Sequence, residues 1–210
     1  LELFPNTIKI SEEVRTKEDF NIRKFFNIPQ NATIAIYGGN FGKPQGVDFI
    51  IDVLNEYKNR KDVFFIFSGK GTEKEKIFNY VKNKKIKNAV TIDYMQKKEY
   101  DKLLDNVDIG LIFLDYRFTI PNIPSRTLSY FEHSIPILAA TDSNTDYKDI
   151  IVNKAKAGLW CESKDIKQFK EKLNYLVSNK EKRLELGRNG RKFLEDNWTV
   201  DKSVKILEKI

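Results

Sequence analysis

Six short apolar runs, each followed by a stretch with helical spacing, constrain this chain more than any other feature. The runs are "ATIAIYG" (32–38), "DVFFIFSG" (62–69), "NAVTIDYM" (88–95), "DIGLIFLD" (108–115), "IPILAAT" (135–141) and "AGLWCE" (157–162). Each has strand length, and the apolar residues are consecutive rather than alternating, as in strands buried on both faces. Helical spacing occupies 46–59, 72–85, 97–107, 125–134 and 145–153, then about 165–178 and 180–196, with a tail from Val200 of helical character. Thr72 with Glu75 three residues on reads as a capping box. Pro124 and Ser125 read as the start of the helix at 125–134. Regular strand–helix alternation predicts an α/β fold, a Rossmann-like, doubly wound parallel sheet of about six strands with C-terminal helices. A content of 40% hydrophobic and 32% charged residues suits such a core and excludes a disordered chain. No apolar run approaches the ~20 residues that span a bilayer.

Residues 1–30, with "LFPNTIKI" and a helical stretch from about Lys17 to Phe26, read as a lead-in segment packed on a domain covering 31–210. The first residue is Leu1, and the first ten resemble neither a signal nor a transit peptide, so the chain reads as a piece of something longer. The single Cys161 excludes an internal disulfide, fits a reducing compartment, and reads as a small core residue beside Trp160. One His and one Cys argue against a structural zinc site. Asp142 and Asp146 suit turn and cap roles better than a metal pair, so the expectation is no metal and no cofactor. His133 reads as a structural or surface residue, since no G-x-S-x-G elbow accompanies it. The net charge of +7 includes one cluster, Lys82, Lys84, Lys85 and Lys87. That cluster reads as a solvated helix end or a surface for acidic lipid. Nucleic acid is not an expected partner, because no aromatic–basic motif accompanies the charge.

Sheets of this kind bind ligands at the carboxyl ends of their strands. The loop "YGGNFGKPQG" (37–46) follows the first strand. It is not a nucleoside-triphosphatase P-loop, which would need Gly at Tyr37 and Ser or Thr at Pro44. It is not a dinucleotide fingerprint either, because Tyr37 again stands where the first glycine belongs. Its Gly38, Gly39, Asn40, Gly42, Lys43 and Gln45 nonetheless join other strand-end residues. These are Ser68, Gly69 and Lys70, then Tyr94 and Met95, then Asn122, Pro124, Ser125 and Arg126. Backbone N–H groups in glycine-rich loops bind phosphate oxygens, and Lys43 with Arg126 would neutralise a diphosphate.

"LFPNTIKI", "YGGNFGKPQGVDFII", "FIFSGKGTEKEKI", "VTIDYMQKKEYDKLLDNVDIGLIFL" and "NIPSRTLSYFEHSIPILAATDSNTD" occur in that order. Together they resemble the C-terminal half of GT-B glycosyltransferases of family four, bacterial capsule and O-antigen sugar transferases above all. The resemblance implies a donor-binding domain of an enzyme that moves a sugar, with retention and without a divalent metal, from a nucleotide diphosphate sugar to an acceptor hydroxyl. UDP is the expected nucleotide. The resemblance assigns Gly39 and Asn40 to the loop near the phosphates and reactive sugar, and Lys43 to the diphosphate. It assigns Ser68, Gly69 and Lys70 to the nucleotide side, Tyr94 and Met95 to the base, and Pro124, Ser125 and Arg126 to the turn under the phosphates. Many relatives carry two glutamates with seven residues between them; here those positions are Pro121 and Ser129, leaving Ser129 for the ribose, while Glu132 points elsewhere.

The same resemblance implies an acceptor half preceding Leu1, with the catalytic cleft between the halves. This chain alone is then expected to bind nucleotide weakly and to transfer no sugar. A saccharide or lipid-linked acceptor would enter through the other half, at a cytoplasmic location on the inner membrane face. The alternatives are a non-catalytic nucleotide-binding or regulatory module of the same fold, or a GT-B epimerase or phosphorylase.

Overall fold

The structure, a computed structural model, describes residues 6–10 and 21–208. Its centre is a fully parallel sheet whose strands are β1 (Thr33–Asn40), β2 (Val63–Lys70), β3 (Ala89–Ile92), β4 (Ile109–Phe113), β5 (Ile137–Thr141) and β6 (Gly158–Glu162). The spatial order is β3-β2-β1-β4-β5-β6. Chain order reverses between β1 and β4, which opens a crevice at the carboxyl edge there. The helices are α1 (Ile22–Phe25), α2 (Val47–Tyr57), α3 (Lys74–Asn83), α4 (Lys97–Leu104), α5 (Arg126–Glu132), α6 (Ile166–Ser178), α7 (Lys180–Asn197) and α8 (Val200–Leu207).

The unbroken apolar runs follow from cover on both faces. Along β1, Ala35 and Tyr37 pack on one side with Phe65, Phe67, Phe113, Phe49 of α2 and Phe169 of α6. Ile34 and Ile36 pack on the other with Ile66, Ile112, Phe131 of α5 and Leu194 of α7. Cys161 sits inside the first layer, fully buried, as read from the sequence.

Three sequence expectations shift. Thr72 does not cap α3, which starts at Lys74 without a side-chain cap. Loop carbonyls serve the donors instead: Glu73 N–H bonds Phe41 O at 2.8 Å and Lys74 N–H bonds Gly71 O at 3.2 Å. β3 ends at Ile92, so 93–96 form a connecting loop. The helix expected at 145–153 is largely a π turn, Asp149–Lys154, in which the adjacent Ile150 and Ile151 are both buried.

Ahead of the sheet, Ile8 forms a parallel bridge to Thr199, donating to Trp198 O at 3.1 Å and accepting from Val200 N–H at 3.2 Å. The short α1 is capped by Asn21, whose Oδ1 accepts from Lys24 N–H at 3.0 Å. The helix expected from about Lys17, and the start of "LFPNTIKI", fall partly outside the described residues.

Candidate functional site

A cavity of about 430 Å³ lies at the carboxyl edge, where β1 and β2 end and α4 and α5 begin. Its floor is made by glycines that leave room for side chains from those two helices. A Cβ on Gly38 would fall 2.0 Å from Tyr100 Oη, and one on Gly39 would fall 2.8 Å from Arg126 Nη2. Gly39 also has φ +133°, and Gly69 beside it φ +151°, a region that L side chains rarely adopt. A Cβ at Gly69 would meet Gly39 O at 1.8 Å, so the ends of β1 and β2 could not lie this close otherwise.

What fills the glycine floor is polar. The Arg126 guanidinium lies 4.2 Å from the Tyr37 ring centroid, and its Nη1 is out of solvent contact with no hydrogen-bond partner. Tyr100 Oη is out of solvent contact too; the Tyr130 hydroxyl lies beside it but outside hydrogen-bonding geometry. Burial pushes the Tyr100 hydroxyl up to about 12 against the lowering pull of Arg126, so it stays a neutral donor near pH 7. Leaving such donors unpaired costs about 1–3 kcal/mol each. Both residues line the cavity, so an anion there would recover that cost once the two side chains turn their donors toward it.

Several residues expected at the site line this cavity: Gly38, Gly39, Asn40, Ser68, Gly69, Tyr94, Met95, Ser125, Arg126 and Ser129. Ser68 Oγ donates to Asp93 O at 3.2 Å and ties β2 to the loop after β3. Ser125 is exposed and its hydroxyl makes no capping bond.

The structure does not bring the others to the cavity. Lys43 is exposed, in a 3-10 turn Lys43–Gln45 that carries it away. The turn is pinned where Asp115 N–H donates to Pro44 O at 2.8 Å, and by Gly46 in the left-handed region (φ +60°) against Asp115. Gln45 braces the loop, its Oε1 accepting from Gly42 N–H at 2.9 Å and from Asn40 Nδ2 at 3.2 Å. Lys70 is exposed, with Nζ 4.8 Å from the Tyr94 ring centroid. Pro124 is buried and its carbonyl accepts from Thr127 N–H at 2.9 Å, which shapes the turn into α5; Asn122 lies off the lining.

Sequence reading missed Ile8, Lys97, Tyr100 and Asp101, all on the lining. Lys97, Tyr100 and Asp101 share one face of α4 by their i, i+3 and i+4 spacing. That spacing was the available signal; which face meets the cavity is set by the fold. Lys97 Nζ pairs with Asp101 Oδ2 at 2.7 Å. Behind them His133, its side chain fully buried at the end of α5, sets Nε2 3.4 Å from Asp101 Oδ1 and Nδ1 2.8 Å from Asp105 Oδ1. Asp142, weighed as a metal ligand, instead closes a turn, accepting from Asn144 N–H and Thr145 N–H at 2.9 Å each.

This chain is similar to the O-antigen biosynthesis glycosyltransferase WclY of Escherichia coli, 25% identical over 193 residues that cover 90% of this chain and 49% of that protein. The chain thus spans about half the length of the curated relatives it matches. Its fold is similar to the C-terminal domain of the group 1 family glycosyl transferase LpcC from Francisella tularensis, at TM-score 0.67 and 18% identity, covering 91% of this chain and 96% of that one. It is also similar to Anabaena HepE, solved in complex with UDP-glucose, at TM-score 0.70 and 12% identity, covering 90% of this chain and 52% of that one. The Rossmann-like sheet is therefore that of one half of a GT-B fold. The sequence model of the family described as "Glycosyl transferases group 1" matches residues 18–193, and the chain belongs to that family.

Proposed function

We propose that this chain is the donor-binding half of a retaining, metal-independent glycosyltransferase that uses a nucleotide diphosphate sugar, UDP-linked, in the synthesis of bacterial surface polysaccharide. The observation that carries the reading is the pair of unpartnered donors, Arg126 Nη1 and Tyr100 Oη, beneath the Gly38–Gly39 floor of the cavity. As the glycosidic bond to a diphosphate breaks, negative charge grows on the leaving oxygens. Donors already fixed there lower the barrier without reorganising. Arg126 then supplies alone the charge that the sequence reading had shared between Lys43 and Arg126. Tyr94 and Met95 line the same cavity, which supports reading them as the contact to the base. Support for UDP comes from HepE, solved with UDP-glucose, and support for the polysaccharide from the O-antigen enzyme. Retention and independence of metal rest on family membership.

Calorimetric titration of the chain with UDP, GDP, ADP and their sugars tests this reading. Arg126→Gln is expected to weaken the best ligand at least about tenfold, as loss of a hydrogen bond to a charged group does. Lys43→Ala is expected to leave it within about twofold. Equal effects of the two substitutions would refute the placement of the phosphates, and added EDTA should change neither affinity.

In this reading the acceptor wall belongs to the remainder of a protein about twice this length, so the isolated chain binds donor and transfers no sugar. Sugar transfer by the chain alone would contradict that. A non-catalytic nucleotide-binding module would bind the same ligands, but a full-length protein would show no turnover. A second surface favours contact with anionic lipid at the inner membrane face. A groove of about 550 Å³ at the amino edge of the sheet is lined by Lys58, Arg60, Lys61, Lys84, Lys85 and Lys87, with no carboxylate among the described residues of its lining, although Arg60 pairs with Asp62 beside it. Flotation with vesicles containing anionic lipid at low salt is the check; no binding there would remove the membrane from the proposal.

A further inference from the structure

Among the described residues lining the cavity, Asp101 is the single carboxylate. It follows Tyr100 directly in α4, so a negative group stands one residue from a buried hydroxyl of the cavity lining. A phosphate beside it would be repelled. A cationic ligand group is not called for either, since Lys97 Nζ already lies 2.7 Å from Oδ2; His133 Nε2 stands 3.4 Å from Oδ1. The Lys97 pair holds one carboxylate oxygen in place and leaves acceptor capacity, because an ionised carboxylate offers about four lone-pair sites. The chemistry that matches is a donor-only demand on a fixed pair of oxygens, which is what two neighbouring hydroxyls present.

The helix geometry supports this. Lys97, Asp101 and Asp105 are spaced i, i+4, i+8 and form one stripe of α4 and its C-cap. Ser129 and His133 are spaced i, i+4 on α5. Because His133 touches Asp101 and Asp105, the two stripes face each other, and Ser129, one turn before His133, shares the cavity with Asp101. Ser129 occupies the position where a glutamate was expected by resemblance. The carboxylate reaches the cavity from the opposite helix instead.

We propose that Asp101, braced by Lys97 and His133, accepts the hydrogen bonds of a vicinal diol on the bound donor, with Ser129 beside it. The inference rests on the donor reading above. A nucleotide sugar carries such diols on both sides of its diphosphate, on the ribose and on the sugar, and the experiment separates them.

Calorimetric titrations of the chain compare UDP and GDP with their 2′,3′-dideoxy counterparts, and UDP-glucose and GDP-mannose with the bare diphosphates. Wild type is expected to prefer the hydroxyl-bearing member by about tenfold or more in at least one comparison. Asp101→Asn is expected to bring that preference to within about twofold of unity while still binding the diphosphate. A collapse in the first comparison assigns the ribose, and in the second the sugar. Equal preferences in wild type and D101N would overturn the role of Asp101 and leave the donor reading intact. No preference in wild type would overturn it as well, with no variant needed. Should D101N not fold, Asp101→Glu, which keeps the charge but moves it by one methylene, is expected to lower the preference too, and an unchanged preference there overturns the proposal. Failure of wild type to bind any of these nucleotides would overturn the donor reading itself.

Discussion

A methyl group at residue 38 would fall 2.0 Å from Tyr100 Oη, and this one contact links the glycine loop to the chemistry of the cavity. Gly38→Ala must displace Tyr100 or bend the end of β1, an overpacking cost of about 1–3 kcal/mol. It is expected to lower stability in urea unfolding by that order and to weaken UDP binding, because the displaced hydroxyl is one of the two unpartnered donors. Unchanged stability with unchanged binding would mean that Tyr100 moves freely and has no fixed role. The glycines themselves were legible from sequence, as strand–glycine–helix grammar is local. Tyr100 was not, because what it touches is decided by how α4 docks against β1. Lys43 illustrates the converse: the Gly-Lys pair is conspicuous in sequence, yet Pro44 and Gln45 fold the loop so that it faces solvent. Cys161 behaved as read, and its setting yields a second outcome. Burial pushes its thiol up to about 12, so native chain is expected to resist a thiol reagent at pH 8 and to react once unfolded. The sign for stability follows: the unfolded thiol ionises above about 8.5 while the folded one stays neutral. Cys161 therefore lowers stability as pH rises past that value. Rapid native labelling at pH 8 would contradict the burial.

At the scale of elements, apolar runs located all six strands, since burial on both faces leaves a continuous signature that polar loops interrupt. Their spatial order was not legible, because each parallel strand has the same apolar character and nothing local says which neighbour it takes. Helix ends were read to within about a residue at α6, begun at about 165, where a side chain caps. Asp165 Oδ1 accepts from Gln168 N–H at 2.9 Å at the start of α6. They were misread where a loop carbonyl does the work, as at α3, where Phe41 O replaces the cap expected of Thr72. The Asp165 cap carries a pH dependence. Its carboxyl is held below the usual range, first by the backbone hydrogen bond from Gln168. A depressed folded value means the contribution is present above the unfolded value of about 3.9 and is lost as pH falls through the folded one. Asp165→Ala is accordingly expected to melt below wild type at pH 7 by circular dichroism, with the gap closing below about pH 4. A gap that persists unchanged at pH 2 would show that packing of α6, not the cap, was lost.

Across the whole molecule, residues collected from four strand ends meet at one cavity, brought together by a sheet order that the sequence did not reveal. What sequence could not supply was the meeting of distant segments. Ile8 lines the cavity and also bridges Thr199, so the start of the described chain ties the site to the C-terminal helix. Thr7 and Ser203 add a hydroxyl pair at 3.0 Å, and Trp198 stacks on Phe131 of α5 with ring centroids 5.8 Å apart. These contacts join one wall of the cavity to α8. Ile8→Pro removes the donor to Trp198 O without deleting any segment. Loss of one backbone hydrogen bond of this kind costs about 0.5–1.5 kcal/mol, so amides of α8 should exchange about threefold to tenfold faster with deuterium. Amides of β1 and β4 should keep their protection, since the sheet centre opens only with global unfolding. Donor affinity should fall in the same variant because Ile8 borders the cavity. If α8 exchange is unchanged and UDP binds as in wild type, the bridge is incidental and the site is closed by α4 and α5 alone. If exchange rises while affinity holds, α8 docks through Ile8 but the donor does not depend on that docking.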